Sequence, residues 1–260
     1  MRLLEDDEAP VFTVLNPAAE SPFLLTADHA GRAVPRALGD MGVSAAEMER
    51  HIAWDIGIAA VTRQLAAALQ APAVLQNYSR LVMDCNRQPS WPSAFPEVSE
   101  ATSIPGNAAL SEADKRLRRQ AIFEPYHAQI DQLIGARRTR PPIYVAMHSF
   151  TPVYLGAARG MHVAVLYHCR PRFSHLLAAL LREEGGLVVA ENDPYRVSDE
   201  TDYGVPVHAE ARGLDYVEIE IRQDLIADAP GQAEWAARLA RLLPAAAARL
   251  MAEQAKEGKA

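Results

Sequence analysis

The chain is predicted to fold as one α/β domain, a three-layer sandwich around a mostly parallel mixed sheet. Three observations point there. Short apolar runs of strand character alternate with amphipathic helical stretches through most of the chain. Several of the runs are continuously apolar, as strands covered on both faces are. The 260 residues, 49% of them hydrophobic, carry no repeat and no linker, so residues 1–260 read as a single domain with one large core.

Phe23–Ala27 follows Ser21-Pro22 and reads as a buried strand that ends in the polar turn Asp28-His29-Ala30-Gly31. Ser44 with Glu47 makes a capping box, which opens a helix from about Ala45 to Gln70. Ala73–Gln76 and Leu81–Asp84 read as short strands. Residues 89–107, rich in Pro and Ser, form a long loop of the kind used as a lid. Ser111 and Asp114 start a helix towards Ala136. Ile143–Met147 is a strand ending at His148-Ser149, His162–Tyr167 another, and Pro171–Glu184 a helix. Leu187–Ala190 is a strand that stops at Glu191-Asn192-Asp193, and a helical stretch near Val205–Arg212 precedes the strand Tyr216–Ile221. The last helix runs from about Ala229 to Gln254, with Trp235, Leu239 and Leu242 at core spacing.

A net charge of −7 disfavours a nucleic-acid surface, which needs clustered Lys and Arg. The arginines at 116–119 and 137–140 read as solvated helix faces. Two cysteines, Cys85 and Cys169, are too few for a disulfide framework and read as small buried apolar residues. The acidic first ten residues contain no apolar run of signal-peptide type, and nothing has the length to span a bilayer. The expectation is a cytoplasmic protein.

In open α/β sheets the ligand crevice lies beyond the carboxyl ends of the strands. Those ends carry Asp28, His29, Asp84, Asn86, Arg87, His148, Asn192 and Glu220. Two neutral imidazoles and a carboxylate are a common catalytic zinc set, although a histidine taken alone is more often structural. Glu218 and Glu220 share one face of their strand, either as the polar face of an edge strand or as the seat of a general base. Arg87 with Asn86 is suited to gripping a carboxylate; Arg80 is a second anion ligand or a surface salt bridge.

The segments LLTADHAGRAVP, HIAWDIG, SRLVMDCNRQP, AMHSF and VEIEIRQDLI, in that order, closely resemble those of the N-formylglutamate amidohydrolase family. The Asn-Arg pair and the last two segments also resemble parts of the zinc carboxypeptidases, whose fold that family shares. The resemblance implies a carboxypeptidase-like α/β fold, Zn²⁺ (or another divalent metal) and a small-molecule N-acyl amino acid as substrate. It implies His29 and His148 as metal ligands, Glu220 as the catalytic carboxylate, and Asn86 and Arg87 as the grip on the substrate's free carboxylate. Carboxypeptidases carry a glutamate ligand three residues after the first histidine, where this chain has Arg32. The third ligand is therefore expected from Asp55, with Asp28 as the other candidate. Helical spacing would also let His51 and Asp55 bond one another.

On this footing Arg80 stabilises an oxyanion, and His208 or Arg80 meets a second substrate carboxylate. Asn192 and Tyr195 reach the substrate, and the 89–107 loop closes the pocket against longer acyl chains. The rival expectations are hydrolysis of another N-acyl amino acid or a peptide end, and a metal-free metabolite-binding protein.

Overall fold

The computed structural model describes residues 2–257; Met1 and residues 258–260, which the single-domain expectation takes in, lie outside the described residues. Seven strands form one sheet: β1 (Phe12–Leu15), β2 (Phe23–Ala27), β3 (Ala73–Gln76), β4 (Ile143–Phe150), β5 (Val163–Leu166), β6 (Val189–Glu191) and β7 (Tyr216–Arg222). Their order is β1-β3-β2-β4-β7-β5-β6. The pairs β2–β3, β2–β4, β4–β7 and β5–β6 are parallel, while β1–β3 and β5–β7 are antiparallel. This is the mixed, mostly parallel sheet expected, with its buried apolar strands at the centre.

The helices are α1 (Ala45–Met48), α2 (Ile58–Leu69), α3 (Glu112–Arg118), α4 (Glu124–Gly135), α5 (Arg172–Glu183) and α6 (Ala229–Glu257). One face of the sheet packs on α2, α5 and α6 through Val61, Leu65, Phe173, Leu177, Trp235 and Leu239. The other face packs on α4 and the loops around it through Leu24, Val74, Tyr126, Ile130 and Tyr144. Strands buried on both sides need no alternation of apolar and polar residues, which explains the continuous runs.

Several elements differ from expectation for identifiable reasons. The helix expected from 45 to 70 is two helices, separated by residues 49–57. Gly57 breaks it: its φ is +82°, and a Cβ there would lie 2.1 Å from the Ile226 carbonyl oxygen. The link docks instead, with Asp55 N–H donating to the His29 carbonyl and Arg80 N–H to that of Ala53. His51 and Asp55 therefore do not share a helix turn. Gly57→Ala is expected to cost about 3 kcal/mol, from the left-handed backbone and the clash together. Gly213→Ala, with φ +67° but its nearest neighbour at 3.9 Å, should cost only about 1 kcal/mol. Denaturant unfolding of the two variants checks this.

Leu81–Asp84 is a turn, not a strand; its apolar residues are consumed by the second core, and short apolar runs do not distinguish the two. The helix from Ser111 is fully capped, but passes through a π turn, Arg119–Phe123, before α4. Pro125, at the start of α4, has no N–H to give the preceding turn, which widens. Arg118 is not on a solvated face. It is buried, donating to the carbonyls of Val82 and Gly106 and to Asn107 Oδ1. Cys85 is buried as expected, but Cys169 is exposed. Among the described residues no helix is long and apolar enough to cross a membrane.

Candidate active site and metal centre

The carboxyl ends of β2, β4 and β7 deliver three groups to one place. The turn after β2 carries Asp28 and His29, and β4 ends with His148 inside the strand. Glu220 on β7 is the ladder partner of His148, so the two side chains leave the sheet on the same face. β7 lies between β4 and β5, which removes the edge-strand reading of Glu218 and Glu220. Both carboxylates are buried and line a cavity of about 670 Å³.

Asp55 sits at the centre of the floor. His29, Asp55 and His148 each present a ligand atom, and all three lie within 4.8 Å of one another. Asp55 Oδ1 is 3.6 Å from His29 Nδ1, and its Oδ2 is 3.1 Å from His148 Nδ1. The backbone N–H of Ser149 donates to the same Oδ2 at 3.1 Å. Each imidazole turns its other nitrogen to a further carboxylate. His29 Nε2 is 2.7 Å from Asp84 Oδ1, and His148 Nε2 is 3.8 Å from Asp28 Oδ2. Those outer carboxylates are themselves held. Arg80 donates twice to Asp84 Oδ2, at 2.7 and 3.1 Å, and Asn86 N–H donates to Asp84 Oδ1. Tyr126 Oη donates to Asp28 Oδ1. Asp28 thus lies towards His148 rather than its neighbour His29, beyond hydrogen-bond distance.

The donors suit a divalent cation. His29 Nδ1, His148 Nε2, Asp28 Oδ2, Glu218 Oε2 and Glu220 Oε2 are buried with no hydrogen-bond partner. Such orphans are costly unless something else satisfies them. A carboxylate hydrogen-bonded behind an imidazole, as Asp84 is behind His29, is the arrangement that fixes a ligand's tautomer in metal sites. The electrostatics agree. Burial works against charge on both imidazoles, yet Asp84 and Asp55 raise His29, and Asp55 and Glu218 raise His148. Burial likewise opposes charge on Asp55, but the two imidazoles hold it well below the usual carboxylate range. This place favours a cation. On Glu220 burial wins and pushes the carboxyl up to about 7, and burial drives Glu218 well above its ordinary value.

Arg80, Asn86, Arg87 and Tyr195 also line the cavity. Asn86, however, is spent on structure: its Oδ1 accepts from Tyr203 and Gly204 N–H, and its Nδ2 donates to Asp202. Arg87 lies 3.7 Å from Asp202 Oδ1, too far for a hydrogen bond, so most of its donors stay available. Two expected substrate contacts are corrected. His208 does not reach the cavity; it is 0% exposed, 2.7 Å from His127 Nδ1 and 2.8 Å from Asp131 Oδ1. Asn192 is also absent from the lining and accepts from Tyr167 N–H, ending β5. Sequence reasoning missed Asp202, Arg196, His51 and Glu100, which line the walls from loops. Asp84 stood among the strand-end residues, but its tie to His29 depends on a turn that reads as a strand.

A cluster of imidazoles and carboxylates at parallel strand ends, beside a carboxyl raised towards neutrality, defines a hydrolase-type centre on an α/β sheet. Family comparison agrees: residues 21–227 match the N-formylglutamate amidohydrolase model, and the chain belongs to that family. Membership supports amidohydrolase activity on N-formylglutamate-like substrates. Among solved structures, the gene product Atu2144 of Agrobacterium tumefaciens is 38% identical with a TM-score of 0.92, over 96% of this chain and 100% of that one. The N-formylglutamate amidohydrolase of Ralstonia eutropha JMP134 shares the fold at 20% identity and a TM-score of 0.65, over 96% of this chain and 100% of that one. No curated protein matches the chain.

Proposed function

We propose that the chain is a zinc-dependent hydrolase of the N-acyl amide of a small acidic amino acid, with N-formyl-L-glutamate and water giving L-glutamate and formate as the type reaction. The observation that carries this is the meeting of His29, Asp55 and His148, with ligand atoms within 4.8 Å of one another, beside Glu220, the ladder partner of His148. His29, Asp55 and His148 would hold the ion, which would supply Lewis-acid activation of water and of the amide carbonyl.

The remaining steps belong to the chain's own residues. Glu220 takes a proton from the attacking water and returns it to the leaving nitrogen. Arg80, fixed on Asp84 and 3.7 Å from Asp55 Oδ1, faces the negative charge that develops on the carbonyl oxygen. Arg87 binds one substrate carboxylate. Arg196, an exposed cation at the cavity wall, replaces His208 as the partner of the second.

The test is metal content and formate release on the purified protein. About one divalent ion per chain, with activity lost to a chelator and restored by Zn²⁺, is the expected result. Full deformylation of N-formylglutamate by protein stripped of every divalent ion would refute the metal-dependent reading.

A further inference from the structure

The edge of the sheet opposite the active site carries a second group of metal-ligating side chains. Strand β5 runs antiparallel to β7, so its carboxyl end lies beside Tyr216, the first residue of β7. There the chain emerges as His168-Cys169, next to Glu210 of the single turn Glu210–Arg212. A ring nitrogen of His168, Cys169 Sγ and a carboxylate oxygen of Glu210 all lie within 4.8 Å of one another. None of these residues belongs to the hydrolase centre, whose groups gather at the carboxyl ends of β2, β4 and β7.

The carboxylate is fixed by the backbone it faces. Glu210 Oε1 accepts from Cys169 N–H at 2.6 Å, from Arg170 N–H at 3.2 Å and from Tyr216 Oη. Tyr216 Oη in turn accepts from His168 N–H at 2.8 Å. These four hydrogen bonds hold residues 168–170 against Glu210. They leave Glu210 Oε2, the His168 ring and Cys169 Sγ with no hydrogen-bond or ion-pair partner among the described residues. The frame is therefore built before any ion arrives, which lowers the ordering cost of binding one. Cys169 is exposed and His168 half-buried, so an ion reaches them directly from solvent.

We propose that His168, Cys169 and Glu210 form a second metal site, which takes a borderline-soft divalent cation, Zn²⁺ foremost. Imidazole, thiolate and carboxylate are all zinc ligands, and a thiolate beside an imidazole selects against the hard ions Mg²⁺ and Ca²⁺. Tetrahedral zinc sets its N, O and S ligands about 3.5 Å apart, so the three side chains close by about 1 Å at most. Rotation of the exposed Cys169 side chain supplies that closure without moving the turn. Water completes the tetrahedron. On binding, the S–H bond breaks, the proton passes to solvent, and the sulfur donates the electron pair it keeps to the ion. Three ligands at an open surface hold an ion more weakly than the buried cluster at Asp55 does. The site therefore fills as a second equivalent when metal is added, clipping residues 168–170 to Glu210 and covering the exposed thiol.

The probe is Co²⁺, added to the full chain after its metal is stripped and its thiols are reduced. Filling of the site should raise a thiolate-to-cobalt charge-transfer band in the near ultraviolet, which the cluster of His29, Asp55 and His148, having no sulfur, does not give. The band should vanish in Cys169→Ser, and in His168→Ala the Co²⁺ needed to raise it should grow about ten-fold or more. A chromogenic disulfide reagent should meanwhile titrate one thiol per chain, Cys169, because Cys85 is 0% exposed. Saturating Zn²⁺ should slow that reaction about ten-fold or more. Both variants change side chains away from the catalytic edge, so each should deformylate N-formylglutamate at the wild-type rate. Absence of the band in the wild type, its survival in Cys169→Ser, or a thiol reaction that Zn²⁺ leaves unchanged would each overturn the site. A band that His168→Ala raises at the wild-type Co²⁺ concentration would overturn it too, by showing a thiol that binds metal alone. None of these outcomes touches the hydrolase reading.

Discussion

Glu220→Gln is expected to lower kcat by about 10² to 10⁴, with bound metal and KM nearly unchanged. The amide keeps the shape of the carboxylate and its place beside His148 in the β4–β7 ladder, so neither packing nor the imidazoles are disturbed. What disappears is a base whose carboxyl burial has raised to about 7. A group poised near neutrality both accepts a proton and gives it back, and the hydrolysis of an amide needs both. Glu218, two residues away on the same face, is the control. Burial drives its carboxyl well above the ordinary value too, but its ladder partner is Ala146, whereas that of Glu220 is His148. Glu218→Gln should therefore cost far less in kcat. Steady-state kinetics with elemental analysis on both variants reads the difference. A metal-loaded Glu220→Gln enzyme that keeps more than about a tenth of the wild-type kcat would remove Glu220 from the role of base.

The strand ends were legible because the sheet dictates them. A continuous apolar run such as Phe23–Ala27 or Ile143–Met147 has one stable place, in the middle of a covered sheet, and whatever follows it emerges at the crevice. His29, His148 and Glu220 are brought together on that logic alone. The walls of the site were not legible, because they are loops whose course depends on single backbone events. Gly57 ends what the apolar spacing reads as a long helix, and only that break lets Asp55 turn beneath both imidazoles. Apolar spacing likewise disguised the turn at Leu81–Asp84, which swings Asp84 onto His29. His208 shows the reverse failure: a titratable residue in a helical stretch near a predicted site, taken up by a buried partnership with His127 and Asp131 that no spacing reveals.

Asp55→Asn is expected to lose the metal. Asp55 lies 3.6 Å from His29 Nδ1 and 3.1 Å from His148 Nδ1, and asparagine, though it can still accept from Ser149 N–H, is a neutral and poor ligand. Affinity should fall by about a thousand-fold or more, since a direct ligand is lost rather than a supporting one, and activity should fall with it. Asp28→Asn separates the two candidates for the third ligand. Asp28 lies on the far side of His148, with Oδ2 3.8 Å from Nε2 and Oδ1 held by Tyr126, so its replacement should weaken metal binding by only about 10- to 100-fold. Dialysis against a graded zinc buffer, followed by elemental analysis, orders the two variants. If Asp28→Asn emptied the site while Asp55→Asn retained wild-type affinity, the ligand set would have to be redrawn around Asp28. The outer position of Asp28 argues for the opposite order: a carboxylate anchored by a buried tyrosine, and turned to the nitrogen that does not face Asp55, stands outside the cluster of His29, Asp55 and His148.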